Sequence, residues 1–186
     1  PHTPDWCKDQ RSTLEWFRKT YQSLADRCGG EKGDLVAMFP AQWEFKTDPR
    51  EMGTLEEWYK PGNGGKWDAI DGSVYWEVQG YQDETGWPYA GKAWYCGEVD
   101  VPSSAAGKPL RLTVGGVYNT GVWIWLNGLL VEHRARQDAG TPFDIDVTKH
   151  IRAGEANHLA ILVNTLPPDR MARGGLHRRV FLWSPK

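Results

Sequence analysis

The side chains in this sequence best suited to chemistry are carboxylates, arginines and aromatic rings, and their spacing limits what they could do. Glu77, Asp83, Glu84, Glu132 and Asp138 supply acids. Hydrolysis of a glycosidic bond needs two carboxylates held about 5 to 10 Å apart across a cleft, and no spacing here singles out a pair. No GxSxG elbow offers a serine nucleophile. His133, His150, His158 and His177 fall in strand or turn contexts that suit surface or capping roles. Cys7, Cys28 and Cys96 are odd in number, so at least one thiol is free. Cys7 and Cys28 flank a helical pattern that would hold them beyond disulfide reach. No Cys/His spacing of the zinc type occurs. Catalysis by this chain itself is therefore not expected.

Recognition is the remaining chemistry. Tryptophan occurs 11 times in 186 residues, mostly between Trp43 and Trp125. Indole and phenol present a flat apolar face with a polar edge, which suits a sugar ring. Core packing accounts for roughly two thirds of these rings, which leaves a few for a binding face. Three loops have the right composition. The first, Trp76 to Tyr89, carries Glu77, Gln79, Tyr81, Asp83, Trp87 and Tyr89; the competing reading is a loop whose aromatics fold inward. The second joins Tyr118-Asn119-Thr120 to Arg134, Arg136, Gln137 and Asp138. The third, Asp169 to Arg178, holds Arg170, Arg173, His177 and Arg178. Either Trp87 or Trp76 would serve as stacking platform, and Gln79, Asn119, Arg136 and Asp138 would take hydroxyls. Convergent arginines would suit carboxylate or sulfate groups, although local ion pairing is the commoner fate of surface charge.

The elements that must hold these loops are mainly strands. Ser12 with Glu15 forms a capping box, and Leu14, Phe17, Tyr21 and Leu24 make one helical face that ends at Gly29-Gly30. That amphipathic helix needs a partner for its apolar stripe. A short apolar run, Leu35 to Phe39, follows. Beyond it the pattern is β. Strands are expected at Trp43–Lys46, within Trp67–Val78, and at Ala93–Val101, Leu110–Val114, Val122–Leu126, Leu129–Glu132, Phe143–Val147, His158–Val163 and Arg179–Trp183. Asn127-Gly128 marks a hairpin. The expected architecture is a helical segment over residues 1–40 and an all-β sandwich over 41–186. A net charge of −2 gives no nucleic-acid footprint, and no apolar run is long enough to span a membrane. The chain opens Pro1-His2-Thr3-Pro4 without a signal peptide, so it reads as a mature fragment or an excised domain.

In order along the chain, WEFKTDP (Trp43 to Pro49), GKAWYCGEVDVP (Gly91 to Pro102), LRLTVGGVYNTGVWIWLNGLLVEH (Leu110 to His133), TPFDIDVTKHIRAGEANHLAILVN (Thr141 to Asn164) and GGLHRRVFLW (Gly174 to Trp183) resemble the galactose-binding-like jelly-roll domain of glycoside hydrolase family 2. They also resemble carbohydrate-binding modules of that fold. The resemblance covers nearly all of residues 43 to 183 and leaves out the helix. The family has an arginine after the Trp-Tyr pair where this chain has Cys96, so the contact that arginine makes is not carried over. The resemblance implies a galactose-binding-domain-like jelly roll with an N-terminal α-helix appended. It further implies a non-catalytic carbohydrate-binding module of a larger polysaccharide-active enzyme, secreted or periplasmic, with catalysis in a separate barrel. Its partners would be an oligo- or polysaccharide and the catalytic domain of the parent enzyme, with no nucleic acid and no membrane. The expected ligand-binding set is Trp76, Gln79, Tyr81, Trp87, Tyr89, Tyr118, Asn119, Arg134, Arg136, Asp138, Arg173 and His177. No cofactor is required; a structural calcium on backbone carbonyls stays open, since such ligands leave little sequence trace. The alternative is a structural accessory domain packed on the catalytic domain with no ligand of its own. A third reading has the chain lend a loop to the active site of a complete hydrolase.

Overall fold

The computed structural model describes residues 32–118, 121–135, 141–165 and 174–186. These residues form an antiparallel β-sandwich. Its four-stranded sheet runs in the order β1 (Gly33–Met38), β12 (Val180–Pro185), β5 (Arg111–Val114), β9 (Phe143–Asp146). Its six-stranded sheet runs β3 (Asp68–Asp71), β2 (Gln42–Thr47), β4 (Lys92–Asp100), β10 (Ala156–Asn164), β7 (Gly121–Leu126), β8 (Leu129–Ala135). A small pair, β6 (Val117–Tyr118) with β11 (Gly175–Leu176), lies beside them.

Side-chain alternation explains most of these strands. In β9 Phe143 and Ile145 are buried while Asp144 and Asp146 face out. In β2 Trp43 and Phe45 point inward between Glu44 and Lys46. The inner faces interlock Tyr95, Ile124, Leu159 and Ile161 from the large sheet with Leu112, Val114, Ile145 and Leu182 from the small one. The β7–β8 hairpin turns at Asn127 (φ 52°) and Gly128 (φ 82°), the positive-φ pair that the Asn-Gly signal calls for. Asn157 is fully buried, and its amide braces this end. It donates to the carbonyls of Arg152 and Glu155 and accepts from Asn127 Nδ2 and the Arg152 amide.

The central strands β4 and β10 are buried on both faces because the large sheet carries a second apolar layer outside. Trp94, Cys96, Trp125, Ala160 and Leu162 form it, and the turn-rich segment 48–67 folds over it with Trp58, Tyr59 and Trp67. Asp48 anchors this cover. Its buried carboxylate accepts hydrogen bonds from the Met52 amide (2.8 Å), the Gly53 amide (2.9 Å) and Trp94 Nε1 (3.0 Å). Gly53 lies so close to the rings that a Cβ there would sit 2.3 Å from Trp94 Nε1.

Three differences from the sequence reading have local causes. The alternating stretch Trp67–Val78 yields only the four residues of β3. It ends because Asp71 Oδ1 accepts from both the amide and the hydroxyl of Ser73, an Asx turn. The run at Leu35 is β1, paired with β12, so a boundary at residue 40 cuts through the sandwich, which has begun by Gly33. The two-residue strands β6 and β11 are too short to leave a periodic signal. The expected helix at residues 12–28 lies outside the described residues.

Candidate functional site

The loop between β3 and β4 closes on itself through its own polar groups. Gln79 is consumed in this closure: its Oε1 accepts from the Asp71 amide, and its Nε2 donates to the carbonyls of Asp71 and Val74, each at 2.9 Å. Trp76 is fully buried, and its Nε1 donates to the Tyr89 carbonyl at 3.0 Å. A Cβ on Gly174 would lie 2.2 Å from its ring. Trp76 is therefore a core anchor and not a stacking platform. Tyr89 is buried, with its hydroxyl on the Lys92 carbonyl (2.7 Å) and its pKa pushed up to about 12, chiefly by burial. Tyr81 packs edge-on against Phe45 at 4.5 Å, and burial raises its pKa too. These rings fold inward, as the competing reading of this loop anticipates.

Trp87 does not. It is 53% exposed, and no other tryptophan of the described residues falls in the exposed class. Its loop is locked rather than loose. Asp83 Oδ1 accepts from the Thr85 amide (2.8 Å), the Thr85 hydroxyl (2.6 Å) and the Trp87 amide (3.1 Å). The Asp83 amide returns a bond to the Trp87 carbonyl at 2.7 Å, and Gln82 bridges Pro88. Those donors, the Thr85 hydroxyl first, hold the Asp83 carboxyl below its ordinary value. The ring is thus offered to solvent on a preorganised turn.

Beside this loop, β6 and β11 bring further rings to the same end. Gly174 donates its amide to Glu77 Oε2 (3.1 Å) and its carbonyl accepts from the Trp76 amide. Gly175 pairs with Tyr118 across the short sheet. Tyr118 is 37% exposed and stands edge-on to Tyr75 (6.4 Å). His177 is buried with its ring 4.8 Å from Tyr75. Arg134 is engaged elsewhere, on β8, with Glu132 Oε2 at 3.2 Å and its guanidinium 4.4 Å from the Phe143 ring. Asn119, Arg136, Asp138 and Arg173 lie outside the described residues. Among the described residues no group of three or more His, Cys, Asp or Glu side chains is placed to hold a metal ion, and no helix is long and apolar enough to cross a membrane. Cys96 lies in the outer layer with its thiol 3.7 Å from the Trp58 carbonyl and its pKa pushed up to about 12 by burial.

Two antiparallel sheets with rings gathered at a loop end place the chain among all-β sandwich domains. Residues 57–169 match the family model described as the second all-beta domain of β-galactosidase, and the chain belongs to that family. Two curated relatives are a β-glucuronidase of Paenibacillus borealis, 32% identical over 139 residues and 69% of this chain, and a β-galactosidase of Priestia megaterium, 24% identical over 98% of this chain. The chain spans 22% and 20% of their lengths. The fold is similar to that of a solved β-glucuronidase from Ruminococcus gnavus, with TM-score 0.68 and 18% identity over 81% of this chain and 29% of that one.

Proposed function

We propose that this chain is a non-catalytic accessory domain of a larger glycoside hydrolase, and that its loop end offers a saccharide a single stacking platform, Trp87. The family membership and the small share of each relative that the chain spans support the first part. The second rests on one observation: an exposed indole held by a hydrogen-bonded turn. Exposing so large an apolar face costs solvation, and locking it in advance lowers the entropy lost on binding. Tyr118 and Glu84 are exposed as well, and would serve as a second ring and a hydroxyl acceptor. One platform with few polar contacts suits weak binding, about micromolar to millimolar, that keeps substrate near a catalytic domain. The order of strands in the two sheets also supports reading the sandwich as a jelly roll of the galactose-binding-like type.

The test is retardation of the domain in gels cast with neutral or anionic polysaccharides. Retardation by one class that disappears in Trp87→Ala, with melting temperature nearly unchanged, is the expected result. Absence of retardation by every glycan overturns it. That outcome would favour the second reading, an accessory domain that docks on its catalytic partner without a ligand. The exposed Leu129 and Leu130 on edge strand β8 favour that reading, since paired exposed leucines suit an interface.

A further inference from the structure

The two outer faces of the sandwich are finished differently. Segment 48–67 covers that of the six-stranded sheet, while that of the four-stranded sheet keeps an apolar half in contact with water. Register defines this second face. Val180 and Leu182 of β12 point into the core between the sheets, so Phe181 and Trp183 point out. Residues directly opposite in an antiparallel pair share a face. One row across the sheet is therefore Leu35, Trp183, Arg111 and Asp146, and the next is Met38, Phe181, Thr113 and Asp144.

Both rows run from apolar on β1 to acidic on β9. At the apolar end Leu35 is 50% exposed and Met38 44%, beside the half-buried Trp183. The indole is fixed in place: its Nε1 donates to Thr113 Oγ1 at 2.9 Å, and the Thr113 hydroxyl donates to Asp144 Oδ1 at 2.6 Å. At the other end Asp144 and Asp146 are exposed, and Arg111, the one cation in these rows, balances only one of them. A partner for this face needs an apolar stripe bordered on one side by positive charge.

The chain itself carries such a segment, outside the described residues. Leu14, Phe17, Tyr21 and Leu24 form the apolar stripe of the helix expected at residues 12–28. At helical spacing Arg11 and Arg18 fall along one border of that stripe, and Thr13 and Thr20 along the other. A helix over 12–28 would be about 25 Å long, enough to cross the roughly 14 Å between the first and last of four strands. Its tether is short. The Lys32 carbonyl accepts from the Lys186 amide at 3.2 Å, which ties the start of β1 to the end of β12. Only Gly29-Gly30-Glu31 separates Lys32 from residue 28, so the end of the helix stays within about 14 Å of Lys32, beside the Leu35 row.

We propose that the outer face of the four-stranded sheet is the docking site of this chain's own segment 12–28. The apolar stripe covers Leu35, Met38 and Trp183, and Arg11 and Arg18 face Asp144 and Asp146. The inference does not depend on the Trp87 platform. The test is amide hydrogen exchange of the 186-residue chain at two protein concentrations. An isolated helix of this length is marginal in water, so slow exchange over residues 14–28 reports a tertiary partner. Those amides should exchange about tenfold or more slowly than an unstructured chain, equally at both concentrations. Leu35→Asp/Met38→Asp should remove that protection and leave β4 and β10 protected, since both residues are exposed. Arg11→Glu/Arg18→Glu should lower it severalfold at low salt. A reciprocal measurement needs no change in the sandwich: Phe17→Asp/Tyr21→Asp should speed oxidation of Met38 by hydrogen peroxide severalfold. Fast exchange over 14–28 in the unaltered chain overturns the proposal, as does a Met38 oxidation rate that the reciprocal variant leaves unchanged. So does protection that survives either of the first two double variants, which would put the segment on another face, or that grows with concentration, which would make the occupant a second copy.

Discussion

Two turn-rich, aromatic segments of this domain look alike in composition and behave oppositely. Segment 48–67 brings Trp58, Tyr59 and Trp67 onto the outer face of the large sheet, where each ring is packed: Tyr59 stacks on Trp125 at 5.1 Å, and Trp58 meets Trp94 edge-on at 6.3 Å. Their polar edges are satisfied too, Trp58 Nε1 by Glu56, Trp67 Nε1 by the Asn63 carbonyl and Trp94 Nε1 by Asp48. Segment 80–91 satisfies its backbone just as fully through Asp83, yet leaves Trp87 facing water. The first segment spends its aromatics on stability, whereas the second holds one ring in place without burying it. A high tryptophan content therefore says little about a binding face until each ring's packing and its N–H partner are known.

The sharpest way to break this contrast is to remove the anchor of the first segment. Asp48→Ala strands three buried or half-buried N–H donors at once, those of Met52, Gly53 and Trp94. We expect a loss of about 3–5 kcal/mol in urea unfolding, and a loss below about 1 kcal/mol would show that the outer layer is not held as described. Gly53→Ala should follow at about 1–3 kcal/mol, because its Cβ would press on the Trp94 and Trp58 rings. Near-wild-type stability in that variant would mean that the cover can shift freely.

How much of this was legible in the sequence depends on how local the cause is. Alternation in Phe143–Asp146, the Asn127-Gly128 hairpin and the Asn157 turn are set by neighbours in the chain, and the sandwich follows from them. The outer aromatic layer is set by contacts such as Asp48 with Trp94, 46 residues apart, which no local pattern encodes. The candidate site divides along the same line. Trp76 and Gln79 sit in a loop that reads as ligand-facing, but the loop needs them for its own closure. Trp87 is legible only as one of two candidate rings in this loop, and the Asp83 turn that holds it out is seen only in the structure. In sequence His158 suits a surface or capping role, and only its place in a strand buried on both faces signals its burial.

A smaller effect comes from His158, buried on β10. His158 has a folded-state pKa below its ordinary value of 6.5, with burial the main cause and Glu98 and Glu44 opposing it. As pH falls, the unfolded chain takes up this proton first. The contribution of His158 to stability is then full above about pH 6.5 and is lost progressively below it. Melting temperature should fall from about pH 7.5 to about pH 5, and His158→Gln should flatten that slope. An unchanged slope would place the pH sensitivity in other groups and weaken the account of a buried neutral imidazole.

The smallest expected effect on stability falls on the second segment. Trp87 makes its hydrogen bonds through its backbone, and alanine preserves those groups. With 53% of the residue already exposed, truncation removes about half the area that a core tryptophan would lose, so Trp87→Ala should lower unfolding free energy by no more than about 1–2 kcal/mol. Its effect on glycan retardation should instead be complete, because one ring supplies the stacking face. Side-by-side measurement of both quantities sharpens the contrast between the segments. If Trp87→Ala costs several kcal/mol, the ring is structural and the two segments do the same work. If it costs nothing and retardation persists, the loop end is locked for a reason other than sugar, and the exposed leucines of β8 become the better place to look for what this domain touches.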